Sequence, residues 1–343
     1  MVFDQNIKHK KVNKMDSFLF ALNATAPIVL MMVLGYALKR IGLISKDFAK
    51  QGNNLVFRVF LPAMLFLNIY KINGIGGISL GFVLYSMAAV LAMCAIAVPI
   101  IMIFTRENPK RGVLLQGVFR SNYALIGVPL AQSLFGESGV AVASVLSAFA
   151  IPAFNVLAVL SLSVFSKEGG GKGSLKKVLL GIIKNPLIQS VALGILVLLL
   201  RELFVVSEIS FRLTDIEPVY TLLGYLSSVA TPLALIILGA QFEFSAIKEL
   251  RREIIFGTVA RCVAVPLIGL GAAVLLFRSS FDGAAFAAMV ALFATPVAVS
   301  SVPMTQEMGG EVRLAGQLVV WSTLFSILTI FISSLLLREI GIF

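Results

Sequence analysis

From residue 18 onward the chain is a near-continuous succession of apolar runs, at 18–38, 48–70, 79–104, 112–136, 139–165, 179–200, 219–242, 253–277, 284–307 and 312–337. A helix that crosses a bilayer needs about 20 mostly apolar residues, so this pattern predicts ten transmembrane helices and leaves room for little else. Composition agrees: 59% of residues are hydrophobic and 13% are charged, against about 45–50% and about 25% in soluble domains. The expected fold class is an all-α polytopic membrane protein.

Residue chemistry then narrows function by exclusion. The single histidine, His9, sits in a basic N-terminal tail, so histidine-based catalysis, metal binding or proton relay inside the membrane has no residue to carry it. Cys94 and Cys262 lie singly in apolar runs, without the paired spacing of a metal site or a disulfide, and read as packing residues. Neither an enzymatic activity nor a cofactor is expected. A net charge of +11 invites a nucleic-acid reading, but the basic residues fall in short loops rather than in one stripe. The expected partner is the lipid bilayer, not nucleic acid.

Basic residues in short loops mark the cytoplasmic side. One set of alternate loops collects Lys39, Arg40, Lys46, Lys50, Arg106, Lys110, Arg111, Lys167, Lys172, Lys176, Lys177, Lys184, Lys248, Arg251, Arg252 and Arg313; the other holds Lys71, Arg201, Arg212, Arg278 and Arg338. The expectation is a multi-pass protein of the cell membrane with both termini extracytoplasmic. The stretch Lys8 to Lys14, followed by apolar residues and Ala24-Thr25-Ala26, imitates a signal peptide. Its apolar core is short, is interrupted by Asn23 and continues to Leu38, so it reads as a retained span, with Met15 an alternative start.

The flexible segment "SKEGGGKGSLKK" divides the chain. A tail (1–17) precedes a first five-helix half (18–165), a cytoplasmic Gly/Lys linker (166–178) and a second five-helix half (179–343). With an odd number of crossings per half, any repeat is inverted. Residues 119–137 and 293–311 align without gaps, pairing Phe119 with Phe293, Ala124 with Ala298, Val128 with Val302, Pro129 with Pro303, Gln132 with Gln306, Gly136 with Gly310 and Glu137 with Glu311. Pro27 and Gly35 likewise match Pro186 and Gly194, and Pro62 matches Pro232.

The fourth and ninth spans are therefore counterparts, and each is interrupted near its middle, by Asn122, Gly127 and Pro129 in one and by Thr295, Pro296, Ser300, Ser301 and Pro303 in the other. Paired interruptions in corresponding helices point to a transporter's binding site. Unpaired N–H groups at the start of each second half-helix carry partial positive charge, and in lipid they need a partner. Two such starts meeting at midplane favour an anion.

Three arginines, Arg58, Arg120 and Arg261, fall within spans, about 12 to 15 Å from the cytoplasmic ends at 1.5 Å per residue, with no Asp or Glu at comparable depth. Each either faces an aqueous cavity and attracts an anion, or snorkels or pairs with backbone carbonyls freed at the breaks. Arg120, two residues before Asn122, is the strongest binding candidate. Asn122, Asn155, Gln241, Thr295, Ser300 and Ser301 offer hydrogen bonds to a carboxylate, and Tyr123 offers a ring for stacking.

The motifs "NLVFRVFLPAMLF", "FRSNYALIGVPLA", "NPLIQSVALGIL", "TPLALIILGAQF" and "ATPVAVSSVPMTQEMGG", in that order, resemble the auxin efflux carrier family, which includes bacterial malate permeases. The resemblance covers nearly the whole chain from Met15. It implies two inverted five-helix repeats, broken crossover helices 4 and 9 between a scaffold and a transport domain as in bile acid symporters and related antiporters, and elevator-type motion. It also implies carboxylate binding near Asn122, Pro129 and Pro303, and a homodimer formed through scaffold helices. The long cytoplasmic loop of the plant relatives is replaced here by the short linker.

The function expected is secondary transport of a small organic anion, auxin-like or malate-like, in the efflux direction. No membrane carboxylate or histidine offers a proton carrier. Two alternatives stand beside it: sodium-coupled symport, with Gln241, Asn122 or Ser/Thr oxygens holding the ion, and a receptor that binds an anion without moving it.

Overall fold

The computed structural model describes residues 14–71, 79–165 and 183–343. His9 and most of the basic linker, with Lys167, Lys172, Lys176 and Lys177, lie outside the described residues. The elements are α1 (Lys14–Arg40), α2 (Lys46–Tyr70), α3 (Leu80–Phe104), α4 (Asn108–Phe119), α5 (Tyr123–Val164), α6 (Pro186–Val206), α7 (Glu217–Gln241), α8 (Ser245–Glu249), α9 (Arg251–Phe277), α10 (Gly283–Phe293), α11 (Ser301–Glu307) and α12 (Val312–Glu339). Among the described residues there is no β-strand, only one isolated bridge. Among the described residues seven helices, α2, α3, α5, α6, α7, α9 and α12, are long and apolar enough to cross a membrane. This is a multi-pass membrane architecture.

Two of the apolar windows coincide with no single helix. The window 112–136 falls on α4, a gap and the start of α5, and 284–307 falls on α10, an irregular stretch and α11. The 42-residue α5 is itself broken where the fourth and fifth windows part. There Phe135 leaves helical geometry (φ −140°, ψ 18°) and Gly136 has φ 58°, a positive φ that glycine adopts without a Cβ penalty.

Local chemistry sets the other boundaries. The Asn185 side chain accepts from Leu187 N at 2.9 Å and Pro186 occupies the first turn, a start signal of cap plus N1 proline. The sixth helix consequently begins at Pro186 rather than 179 and runs to Val206. It takes in Arg201, read from sequence as a loop residue, which donates to Tyr70 O at 2.8 Å.

Three helices contain a single π turn, at Val56–Phe60, Tyr123–Gly127 and Ala260–Ala264. Each ends two residues before a proline, namely Pro62, Pro129 and Pro266. Proline has no N–H and crowds the preceding turn; the wider i→i+5 turn absorbs that mismatch and lets the helix continue.

The helices pack in two groups. One contains α1, α2, α6 and α7, and the other contains α3, α4, α5, α9, α10 and α12, with α1 also touching α12. At the centre of the second group, residues 284–293 of α10 are all buried, as expected for a helix that is apolar on every side. The seam between α1 and α7 is a backbone contact. A Cβ on Gly35 would fall 2.0 Å from Ile236 O, and one on Gly239 would fall 1.9 Å from Met32 O. Gly35→Leu and Gly239→Leu are each expected to destabilise the fold by about 1–3 kcal/mol or more through overpacking. A thermal unfolding midpoint in detergent equal to wild type for either variant would refute this close approach.

Candidate anion site at the helix crossing

The two interruptions meet. α4 ends at Phe119 and α10 ends at Phe293, residues that are counterparts in the sequence alignment. The freed backbone of each break is satisfied by the other: Asn122 N donates to Pro296 O at 2.8 Å and Ala298 N donates to Arg120 O at 3.2 Å, around the antiparallel bridge Ser121–Val297. The register that aligns 119–137 with 293–311 makes Asn122 and Pro296 counterparts, and these two are bonded to each other. Val297 N is taken by Ser322 Oγ at 3.0 Å. Irregular backbone at this depth is tolerated because protein partners are in place.

Arg261 fastens the crossing from one side. It is 1% exposed and donates through Nε to Thr295 O at 2.8 Å, through Nη1 to Val118 O at 3.0 Å and through Nη2 to Leu292 O at 3.0 Å. The carbonyls of both first half-helices therefore end on one guanidinium, which also opposes the negative ends of their dipoles. Of the two readings open for Arg261, pairing with freed carbonyls is the one observed. Arg58 differs again: its side chain is 64% exposed and lies 3.7 Å from Glu307, so the expectation that it lacked an acidic neighbour is corrected.

Arg120 faces a cavity. It is 2% exposed, and its Nη2 donates to Asn155 Oδ1 at 2.9 Å and Ser300 Oγ at 3.0 Å, while Nη1 contacts Met304 S at 2.9 Å and Gln116 Oε1 at 3.4 Å. All four partners are neutral. The cavity, about 580 Å³, is lined at the crossing by Arg120, Ser121, Asn122, Tyr123, Asn155 and Ser300, and no Asp or Glu lines it. Ser121 Oγ and Asn122 Nδ2 are buried without a hydrogen-bond partner. Tyr123, Ala124 and Leu125 also line it, and as the first turn of α5 their N–H groups have no intrahelical acceptor. One cation and several free donors thus converge on a space with no competing anion.

The opposite walls are mostly apolar, from Ile28 and Met31 on α1, Met64 and Leu65 on α2, and Leu235 on α7, with Asn68, Ser227 and Thr231 as neutral polar points. Asn68, Ser121 and Gln116 were not singled out from sequence. The signal for Asn68 is its place as the only side-chain amide in "LPAMLFLNIY"; Ser121 and Gln116 are ordinary polar residues until the fold places them beside Arg120.

Several sequence candidates shape the crossing, and of these Tyr123 alone also lines the cavity. Tyr123 is lodged in protein, its hydroxyl donating to Ala143 O at 3.1 Å. A Cβ on Gly127 would lie 3.1 Å from Ala291 O, so this glycine lets α5 approach α10. Thr295 Oγ1 donates to Ala291 O at 2.8 Å and Ser301 Oγ to Ala298 O at 2.5 Å. Pro296 contributes its carbonyl to Asn122, and Pro129 and Pro303 sit just inside the resumed helices.

Gln241 belongs to another cluster. Its Nε2 lies 3.3 Å from Gln306 Oε1, which also accepts from Asn53 Nδ2 at 2.6 Å. Asn53 Oδ1 and Gln241 Oε1 remain buried without partners. The cavity is lined by 27–31 of α1, 61–68 of α2 and 227–235 of α7, whereas this cluster uses the start of α2, the end of α7 and the end of α11. The amide cluster therefore lies nearer the Lys46 end of α2 and the Gln241 end of α7 than the cavity does, and its bonds tie α2 and α7 to α11.

The sequence profile of the family described as membrane transport protein matches residues 20–173 and 171–333. An uncharacterized transporter of Methanocaldococcus jannaschii is 30% identical over 230 residues, 64% of this chain and 69% of that protein. An uncharacterized transporter of Methanothermobacter thermautotrophicus is 23% identical over 321 residues, 91% of this chain and 97% of that protein. With matches that run through both halves and both sides of the crossing, the chain belongs to the membrane transport protein family, the auxin efflux carrier family that its motifs resemble.

Proposed function

We propose that the protein is a secondary transporter for small organic anions that binds a carboxylate at the helix crossing and moves it by alternating access. The observation that carries this reading is Arg120, a buried guanidinium on the cavity wall whose partners are all neutral. Burying a charge without a counter-charge is unfavourable, and an anionic substrate would supply the missing one. Asn122, Ser121 and the first turn of α5 would complete its hydrogen bonds, Asn155 and Ser300 would orient Arg120, and Gly127, Pro129, Thr295, Pro296, Ser301 and Pro303 would hold the breaks in shape.

The bond between the alignment counterparts Asn122 and Pro296 supports ten crossings arranged as two inverted repeats about an axis through the crossing. The division into an α1, α2, α6, α7 group and a second group holding both breaks supports a scaffold and a moving transport unit. In this reading substrate enters the cavity from one side, and Asn53, Gln241 and Gln306 would close the other.

Substrate class follows from charge and wall. One cation and mostly apolar surroundings suit a monocarboxylate with an apolar body; the second charge of a malate-like acid would lie against apolar side chains at a cost. An inside-negative potential favours anion exit by about 2.3 kcal/mol per charge per 100 mV, so efflux needs no coupled ion. The test is counterflow of labelled mono- and dicarboxylates into proteoliposomes with and without sodium. Sodium-independent flux of apolar monocarboxylates is expected. A strict sodium requirement would replace this reading with symport, and saturable binding without flux would replace it with a receptor.

A further inference from the structure

We propose that the groove between α9 and α12 binds an anionic phospholipid, with an acyl chain lying in the groove and the phosphate held at Arg251. The groove encloses about 900 Å³. It exists because the two helices pack over only part of their length: residues 251–264 of α9 contact α12, whereas 265–277 diverge from it. Its walls are apolar, with Val263 and Leu267 on one side and Phe325, Leu328 and Leu336 on the other, and among the described residues Arg251 is the only charged one that lines it.

The charge at that mouth is one-sided for a reason written in "KELRRE", residues 248–253. Both acids of the segment are engaged elsewhere, Glu249 with Arg313 at 2.8 Å and Glu253 with Lys110 at 3.1 Å. Lys248, Arg251 and Arg252 are exposed and, among the described residues, form no ion pair; Arg252 rests over the Phe104 ring at 5.6 Å. Three free cations at the end where the basic loops gather form the pattern that attracts anionic headgroups.

Charge complementarity selects the occupant. An anionic phospholipid brings negative charge to the mouth and an apolar chain to the concavity. A zwitterionic lipid fills the concavity but carries its own cation to the basic mouth. A second copy of the chain docking through this face would add three more cations to the interface.

Trp321, the single tryptophan of the sequence, lines the groove and reports on it directly. The full chain is reconstituted in bilayers titrated with phosphatidylglycerol or phosphatidylcholine brominated on the acyl chain, and Trp321 fluorescence is followed. Quenching is expected to half-saturate at a mole fraction of the anionic lipid about five-fold lower or more, the order expected when even one basic residue is engaged. The triple variant K248Q/R251Q/R252Q is expected to lose that preference while both lipids still quench. Arg251→Gln alone, at an exposed side chain outside the anion site, gives a partial loss and guards against misfolding of the triple variant. Equal quenching by the two lipids in the wild type, or a preference that survives in the triple variant, would overturn the proposal. So would absence of quenching by either, the result expected if protein covers the groove.

Discussion

Under the proposed function, Arg120→Met is expected to fold and insert as the wild type does but no longer to carry organic anions. The guanidinium is 2% exposed and meets only neutral acceptors, so its burial is a burden on the fold. The acceptors it leaves behind, Asn155 and Ser300, line the cavity, where water can take the place of the guanidinium, so the cost to the fold is small. For a bound carboxylate the change is severe, since removing one partner of a buried charge pair costs about 2–5 kcal/mol, roughly 30-fold to a few thousand-fold in affinity. Arg120→Lys, which keeps the charge but not the two-pronged contact with Asn155 and Ser300, should retain a small part of the flux. Counterflow and thermal unfolding on the same preparations check both halves of the expectation. Normal flux in Arg120→Met would remove this residue from the binding site.

Arg261→Met should do the reverse. Its three acceptors are backbone carbonyls at the ends of α4 and α10, and the substitution leaves them facing an apolar side chain. Each buried polar group deprived of its partner costs about 1–3 kcal/mol, so the summed effect is large enough to prevent accumulation of folded protein. Lysine is no substitute, because a single ammonium cannot reproduce the planar spread of a guanidinium over three carbonyls. Expression yield and unfolding midpoint are the readouts. Wild-type stability in Arg261→Met would mean that the crossing is held by its own backbone pairing alone.

These two arginines show where sequence reading stops. Both breaks were legible, because Asn, Gly and Pro are conspicuous in an apolar run, and the ungapped alignment already paired the residues at which α4 and α10 end. The family resemblance, drawn from five loose motifs in order, is upheld by the profile match. Arg58, Arg120 and Arg261, however, look alike from sequence, since depth along a helix says nothing about which neighbour each side chain meets. Tertiary contacts alone sort them into an exposed partner of Glu307, a cavity wall and a fastening for two helix ends. Gln241 lies away from the cavity for the same reason: an amide near a span end can face either side of a crossing, and sequence does not say which. The start of the sixth helix was recoverable, since Asn185-Pro186 is a helix-start signal, but the apolar run that precedes it obscured the boundary.

The π turn in α2 leaves that helix able to change by length as well as by substitution. Residues 56–60 already accommodate one residue more than ordinary winding, so losing a single residue there would restore an α turn. Because the wide turn absorbs that residue locally, everything beyond it would keep its facing, and Leu65 and Asn68, which line the cavity, would stay on its wall. A lineage carrying this fold could therefore lose or regain that residue without disturbing the cavity wall, Arg120 or the crossing, so the length of α2 is free to vary at this one turn.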